Sequence, residues 1–318
     1  MSPHKMILPF ISNRRVRRTK MLCHIDGDIL KYRCGFAAEA VWYYAFGERF
    51  RYKKDMKEFA KEQEQGQNSF KYESHREAEP VENALHNVKS VMNDIMEELE
   101  LTKDEVIVYF SGESNFRNDL PTQVMYDLAD VKGYKANRKD APRPIHGPAI
   151  IKYIKRHYTT VISDNEEADD TMAINHYKLW KEDPDSSVIV TIDKDLLMIP
   201  GMHYNFVKKQ HKTVTVEKAT LTFYRQLLTG DSTDNIPGIP GIGPKTAAKI
   251  LPEALDDLLM YHAVLEEYVE YYGMEIAERV LLENARMLWI RRHDDELWMP
   301  PAHVSQLTKE VFTYENLH

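Results

Sequence analysis

Four short acidic clusters hold the reactive chemistry of this sequence. They are Asp26 in Ile-Asp-Gly-Asp, Glu167, Asp169 and Asp170 in Glu-Ala-Asp-Asp, Asp193 and Asp195 in Asp-Lys-Asp, and Asp231 and Asp234 in Gly-Asp-Ser-Thr-Asp-Asn. An isolated Asp more often caps a helix or fills a turn. Brought together, these acids cannot all stay ionised unaided, because two carboxylates ~5 Å apart repel by ~3 kcal/mol at an effective dielectric near ~20. Divalent cations supply the counter-charge, and all-oxygen ligation without His or Cys favours Mg2+ or Mn2+ over zinc. A pair of such ions suits phosphodiester hydrolysis. One activates water and the other stabilises the leaving oxygen and the charge of the transition state, so no protein nucleophile is required.

The last cluster runs into Gly-Ile-Pro-Gly-Ile-Gly-Pro-Lys-Thr, residues 238–246. Gly238, Gly241 and Gly243 permit positive backbone dihedrals and close approach, and the following segment to Leu251 can begin a helix. Backbone amides there, with Lys245 and Thr246, can hold a phosphate. A loop before a helix is the plainer reading. The flanking helical patterns favour a helix-hairpin-helix over about 227–251 that grips duplex backbone without reading bases. A basic segment, Gly-Tyr-Lys-Ala-Asn-Arg-Lys at 133–139, lies within a stretch, about 113–145, that can arch over a crevice. Tyr134, Lys135 and Arg138 are its candidate DNA contacts, with Lys135 and Arg138 steering the scissile phosphate. A solvated helix face is the alternative.

The elements that must position these residues follow from the hydrophobic pattern. From Leu22 onward, short apolar runs alternate with longer helix-period segments, the pattern of a mainly parallel sheet covered by helices. Strands are predicted at Leu22–Ile25, Val106–Phe110, Thr159–Ile162 and Val188–Ile192. Val81, Ala84, Leu85, Val88, Val91, Met92, Ile95 and Leu99 form a helical stripe facing the core. In an open parallel sheet, reactive groups gather beyond the carboxyl ends of strands, and the acidic clusters fall there. A helix opening near Asp169 places its acids in the first turn, where the dipole favours them.

The expected organisation is an α/β core over 21–210, a helical region over 211–318, and a peripheral insertion of helix and loop over about 45–80. Residues 1–20, with Arg14, Arg15, Arg17, Arg18 and Lys20, read as a disordered basic arm or as an over-long start ahead of Met21. A transit peptide fits less well, since serine is scarce there.

At 318 residues, 43% of them hydrophobic, the chain can build an ordinary core. No apolar run approaches the ~18 residues of a membrane span. Two cysteines, Cys23 and Cys34, support neither a disulfide scaffold nor zinc, and a reducing intracellular compartment is expected. A net charge of -8 looks wrong for a partner of nucleic acid. The acids are clustered, however, and basic residues recur in runs: Lys132 to Arg143, Lys152/Lys155/Arg156 and Lys208/Lys209/Lys212.

In this order, the motifs resemble the 5′ nuclease family of flap endonucleases, the nuclease domain of bacterial DNA polymerase I and, above all, phage 5′-to-3′ exonucleases. The resemblance runs from about Leu22 to Leu251. It implies a PIN-like α/β core with a helix-three-turn-helix element. The ligands of two Mg2+ or Mn2+ ions would be Asp26, Glu167, Asp169, Asp170, Asp193, Asp195, Asp231 and Asp234. Lys135 and Arg138 match the basic Tyr-Lys-x-Asn-Arg segment, and Gly241 and Gly243 match a hairpin that in the family often holds K+.

The substrate implied is DNA with a free 5′ end, cut by exonuclease and flap endonuclease action in replication or DNA degradation, in the bacterial cytoplasm if the chain comes from a phage. One departure stands out. Where the family presents an aspartate after the second strand, this chain reads Ser111-Gly112-Glu113. Glu113 with a longer reach, or a water, would take that place, and Asp28 is an additional acid near Asp26.

Two rivals come from other classes. A haloacid-dehalogenase-type phosphatase would use Asp26 as nucleophile, Asp28 as acid, Lys208 or Lys209 to steady the phosphate, and Asp231 and Asp234 for Mg2+. It leaves two acidic clusters and the hairpin without a role. A non-catalytic DNA-binding clamp would not need the acids at all.

Overall fold

The computed structural model describes residues 20–62, 70–130, 133–139, 141–253 and 256–301. The chain opens with β1 (Leu22–Asp26) and α1 (Gly27–Ala37), then β2 (Glu39–Ala45), β3 (Glu48–Phe50), α2 (Lys53–Glu62) and β4 (Glu73–Ala78). Next come α3 (Val81–Glu98), β5 (Val106–Phe110), α4 (Gln123–Ala129), α5 (Gly147–His157), β6 (Thr159–Ile162), α6 (Ala168–Glu182) and β7 (Ser187–Val190). The last third contains β8 (Gly201–Asn205), β9 (Gln210–Val214), α7 (Val216–Thr229), β10 (Gly230–Asp231), β11 (Ile236–Pro237), α8 (Pro244–Ile250), α9 (Asp257–Tyr272) and α10 (Ala277–Leu288).

The main sheet is six-stranded, in the order β6-β5-β1-β7-β8-β9. Its first five strands are parallel and β9 pairs antiparallel with β8. Apolar runs such as Val-Ile-Val-Tyr-Phe in β5 suit strands covered on both faces. One face packs on α1, α3 and α5 through Cys23, Ile25, Val106 and Val108, with Ala84, Val88, Met92, Ile95 and Leu99 of the predicted stripe. Each fully buried Val, Met or Ile there contributes about 1.5–3 kcal/mol. The other face packs on α6 through Tyr109, Met172, Ala173 and Ile189.

The expected boundary at 210 falls on the first residue of β9, so the sheet runs to Val214 and α7 opens the helical unit. That unit closes around Phe223, Tyr224, Tyr261, Tyr268 and Leu281, and it also takes in Met125 and Tyr126 of α4. The start of the expected arch therefore packs with the helical unit. The insertion expected as helix and loop is instead a separate three-stranded antiparallel sheet, β3-β2-β4, with α2 against it. Of the basic arm only Lys20 is described, 3.3 Å from Asp104. Residues 1–19, Lys132 and Leu255 lie outside the described residues.

Candidate metal centre and nucleic-acid crevice

The parallel strands β1, β5, β6 and β7 end on one side of the sheet, and the acidic residues gather in the crevice beyond them. Asp26 closes β1 and caps α1. Its Oδ1 accepts from the Ile29 amide at 3.0 Å and its Oδ2 from Thr191 Oγ1 at 3.2 Å. Burial, with Asp28 and Asp193 nearby, raises its pKa to about 7 despite those hydrogen bonds. Asp28 pairs with Lys31 at 2.5 Å and accepts from the Ser111 amide at 2.9 Å, tying α1 to the end of β5.

Ser111 Oγ in turn accepts from the Ala168 amide at 3.1 Å, so it holds the start of α6. Glu113 is exposed and lines neither cavity of the crevice.

Glu167 caps α6, and its Oε1 accepts from Asn115 at 2.7 Å, from the Tyr134 hydroxyl at 2.9 Å and from Lys135. Asp169, two residues further on, faces the crevice. Burial and the charges of Asp26, Asp193, Glu167 and Asp170 push its carboxyl well above the usual range. Asp193 Oδ1 accepts from the Asp195 amide at 2.8 Å. Asp195 takes Gln226 at 3.2 Å and Lys194 at 3.3 Å, and burial and Asp193 raise its pKa to about 6. From the helical unit, Asp231 accepts from the Thr233 amide at 2.8 Å, and Asp234 pairs with Arg138 and, at 3.5 Å, with Lys135.

The crevice has two lobes. A cavity of about 150 Å3 is lined by Asp195, Asp231 and Asp234, and a longer groove by Asp26. Glu167, Asp169 and Asp193 face both, as do Lys135 and Arg138.

Asp170 stands apart from the other predicted ligands. Fully buried, it lines neither lobe, and Arg117 grips it at 2.6 and 2.9 Å. Burial alone would raise its pKa, but the Arg117 guanidinium and two backbone amides hold it below the ordinary value. Among the described residues no group of three or more His, Cys, Asp or Glu side chains is gathered as a closed metal site. Lys135 bridges Glu167 and Asp234, Arg138 pairs with Asp234 and Lys194 with Asp195.

The donor set still fits hard divalent ions. It is all carboxylate oxygen, shared between two adjoining lobes, and several members are costly to ionise where they stand.

The basic segment does not stand free. Lys135 N donates to Asp234 O at 2.9 Å, Asn137 to Ser232 O at 2.9 Å and Arg138 Nε to Thr233 O at 2.7 Å, which fasten it to the turn carrying the last acidic pair. Lys135 takes a left-handed backbone (φ 53°) at this bend. In the hairpin, Gly241 alone of the expected three has a positive φ, 87°, and a Cβ on Gly241 or Gly243 would meet nothing within 4 Å. Gly238 has a different role: a Cβ there would lie 2.2 Å from Thr229 C, so it lets β11 cross the end of α7. Lys245 and Thr246 lie exposed in the first turn of α8.

Sequence reasoning missed Arg117, Thr191, Gln226 and the groove wall of α1, where Tyr32, Arg33 and Phe36 face Arg143. Only Thr191, beside the Asp193 cluster, had a local signal. Lys208 and Lys209, needed by the phosphatase reading, sit in the β8–β9 turn and line neither lobe. Cys23 and Cys34 are free and buried, and no described helix is long and apolar enough to cross a membrane.

No model of a known protein family matches the chain. It is 36% identical over 168 residues to DNA polymerase I of Rhizobium leguminosarum, covering 48% of this chain and 15% of that protein. It is 30% identical over 182 residues to a 5′-3′ exonuclease of Buchnera aphidicola, covering 52% of this chain and 58% of the relative. It is 34% identical over 130 residues to flap endonuclease Xni of Shewanella pealeana, covering 37% and 50%. The chain thus spans about half the length of the latter two relatives and a smaller part of the first.

A solved structure of T5 5′-exonuclease with zinc overlays 83% of this chain and 99% of its own at 17% identity and a TM-score of 0.46, a likeness too loose to bear on the site. Over these shares of its length, the chain is similar in sequence to proteins named as 5′-3′ exonuclease, flap endonuclease and DNA polymerase I.

Proposed function

We propose that the chain is a divalent-metal-dependent nuclease that hydrolyses DNA from a free 5′ end, as a 5′-to-3′ exonuclease with flap endonuclease activity. The observation that carries this reading is the two-lobed carboxylate crevice overhung by Lys135 and Arg138. Asp26, Glu167, Asp169 and Asp193 would hold one Mg2+ or Mn2+ ion, and Asp193, Asp195, Asp231 and Asp234 a second. When bound, such ions lower the pKa of water and stabilise charge on phosphate oxygens.

The remaining work falls to the chain itself. Lys135 and Arg138 exchange their carboxylate partners for the scissile phosphate and neutralise its transition-state charge. Tyr134 keeps Glu167 turned toward the crevice through its hydroxyl. Arg33 and Arg143 offer phosphate contacts along the groove, with Tyr32 and Phe36 as stacking surfaces, both 38% exposed. The open backbone at Gly241 and Gly243, with Lys245 and Thr246, grips the duplex at a distance from the cut, and the family resemblance adds K+ there.

The test is incubation with 5′-flap and nicked duplex DNA labelled at the 3′ end, with and without Mg2+, beside para-nitrophenyl phosphate. Mg2+-dependent shortening from the 5′ end is expected. Intact DNA with turnover of the phosphate ester would instead establish the phosphatase, and silence in both would favour the non-catalytic clamp.

A further inference from the structure

We propose that Arg117 and Asp170 form a positioning pair that fixes the start of α6, and with it Glu167 and Asp169, against the end of α10, and that Asp170 itself holds no metal ion. The inference rests on reading the crevice as a nuclease centre. Arg117 comes from a short 3-10 turn, Phe116–Asn118, capped by Asn115. The turn reaches the crevice wall twice, because Asn115 also donates to Glu167.

Arg117 is 4% exposed, and its donors are almost fully used. Nη1 and Nη2 meet the two oxygens of Asp170, Nε donates to Met287 O at 3.0 Å, and Nη2 also donates to Trp289 O at 2.6 Å. The carbonyls are those that the end of α10 leaves without helical partners, where a cation is favoured. Asp170 lies in the first turn of α6, where an anion is favoured. One ion pair therefore clamps two helix ends of complementary sign, one from the sheet domain and one from the helical unit.

Asp170 has no capacity left for a ligand. Oδ1 accepts from Arg117 and from the Arg291 amide at 3.0 Å, and Oδ2 accepts from Arg117 and from the Glu167 amide at 3.1 Å. A carboxylate offers about four lone-pair sites. Coordinating an ion would break one of these bonds in a site sealed from the crevice. Buried ion pairs of this kind are often no better for stability than apolar residues of similar volume, so what this one adds is orientation. Loss of the clamp would let α6 turn, moving Glu167 and Asp169 together.

The test uses the full chain with Asp170→Asn, Arg117→Lys, and the double change Arg117→Met with Asp170→Leu, which leaves no buried charge unpaired. Bound Mn2+ is counted by electron paramagnetic resonance without DNA, folding is followed by thermal melting, and cleavage of a 5′-flap substrate gives kcat and KM. The double variant is expected to fold and to bind as many Mn2+ ions as the unmodified chain. Its kcat should fall about 10- to 100-fold with KM for DNA little changed, the range for groups that orient ligands, and Arg117→Lys should fall between.

At saturating Mn2+, a folded Asp170→Asn or double variant that binds one ion fewer, while Arg117→Lys, which keeps Asp170, binds the full number, would make Asp170 a ligand and overturn the proposal. So would a double variant with undiminished kcat. If the unmodified chain cleaves no DNA, the nuclease reading fails by itself, because the ion count still decides what Asp170 does.

Discussion

Asp26 is asked to be two things at once: the cap of α1 and a charge in a buried wall. Its hydrogen bonds to Ile29 and Thr191 favour the ionised form, yet burial and two neighbouring acids leave its pKa at about 7. A carboxyl whose folded-state pKa lies above its unfolded value contributes stability at low pH and loses it as pH rises through the folded value. Asn cannot ionise. In chelator, the melting temperature of Asp26→Asn relative to the unmodified chain should therefore climb as pH rises from about 4 to about 7; a flat difference would show that Asp26 is not strained by its charge.

Replacement of Asp169 or Asp193, which face both lobes, by Ala should abolish cleavage and leave DNA retention in a gel-shift assay largely intact. At this scale the sequence displayed the acids because their types and clustering are visible in it. It could not display that Asp170 has a partner 53 residues away in Arg117, since Arg117 sits in no motif and its role exists only through contacts.

At the scale of elements, the strands that end at the crevice were legible because they are short runs rich in apolar and β-branched residues followed by polar or acidic ones, and β5 and β6 match their predicted limits. The small sheet β3-β2-β4 was not legible. Its strand β4, Glu-Ser-His-Arg-Glu-Ala, is polar at nearly every position and mostly exposed, so no alternation marks it. The hairpin before α8 was legible as glycines, but only the backbone shows which does what. Gly241 bears the left-handed turn, so Gly241→Ala adds about 1–2 kcal/mol of local strain there. It should raise KM for DNA more than it lowers kcat. Lys245→Ala, on the exposed first turn, should weaken duplex binding for every sequence alike and reduce the slope of log affinity against log salt by about 1. A sequence-dependent loss would mean that the hairpin reads bases.

Across the whole molecule, two sets of buried titrating groups oppose each other. Beneath the crevice His24 of β1, His176 of α6 and His203 of β8 are buried with neighbouring ring centroids 5.9 and 6.3 Å apart. Burial lowers their pKa values to about 3, 4 and 4. A histidine held neutral in this way contributes stability fully above its unfolded value near ~6.5 and loses it as pH falls toward the folded value. The crevice carboxylates act in the other direction: Asp26 and Asp195, raised to about 7 and about 6, become costly as pH rises. Stability in chelator is thus limited by histidines on the acid side and by clustered charge on the neutral side.

Divalent ions relieve only the second limit, since they bind ionised carboxylates and stabilise the folded chain by mass action. Adding Mg2+ should raise the melting temperature clearly near pH ~7.5, above the raised Asp26 and Asp195 values, and leave it almost unchanged near ~4.5, below them. An equal rise at both pH values would place the ions somewhere other than this crevice.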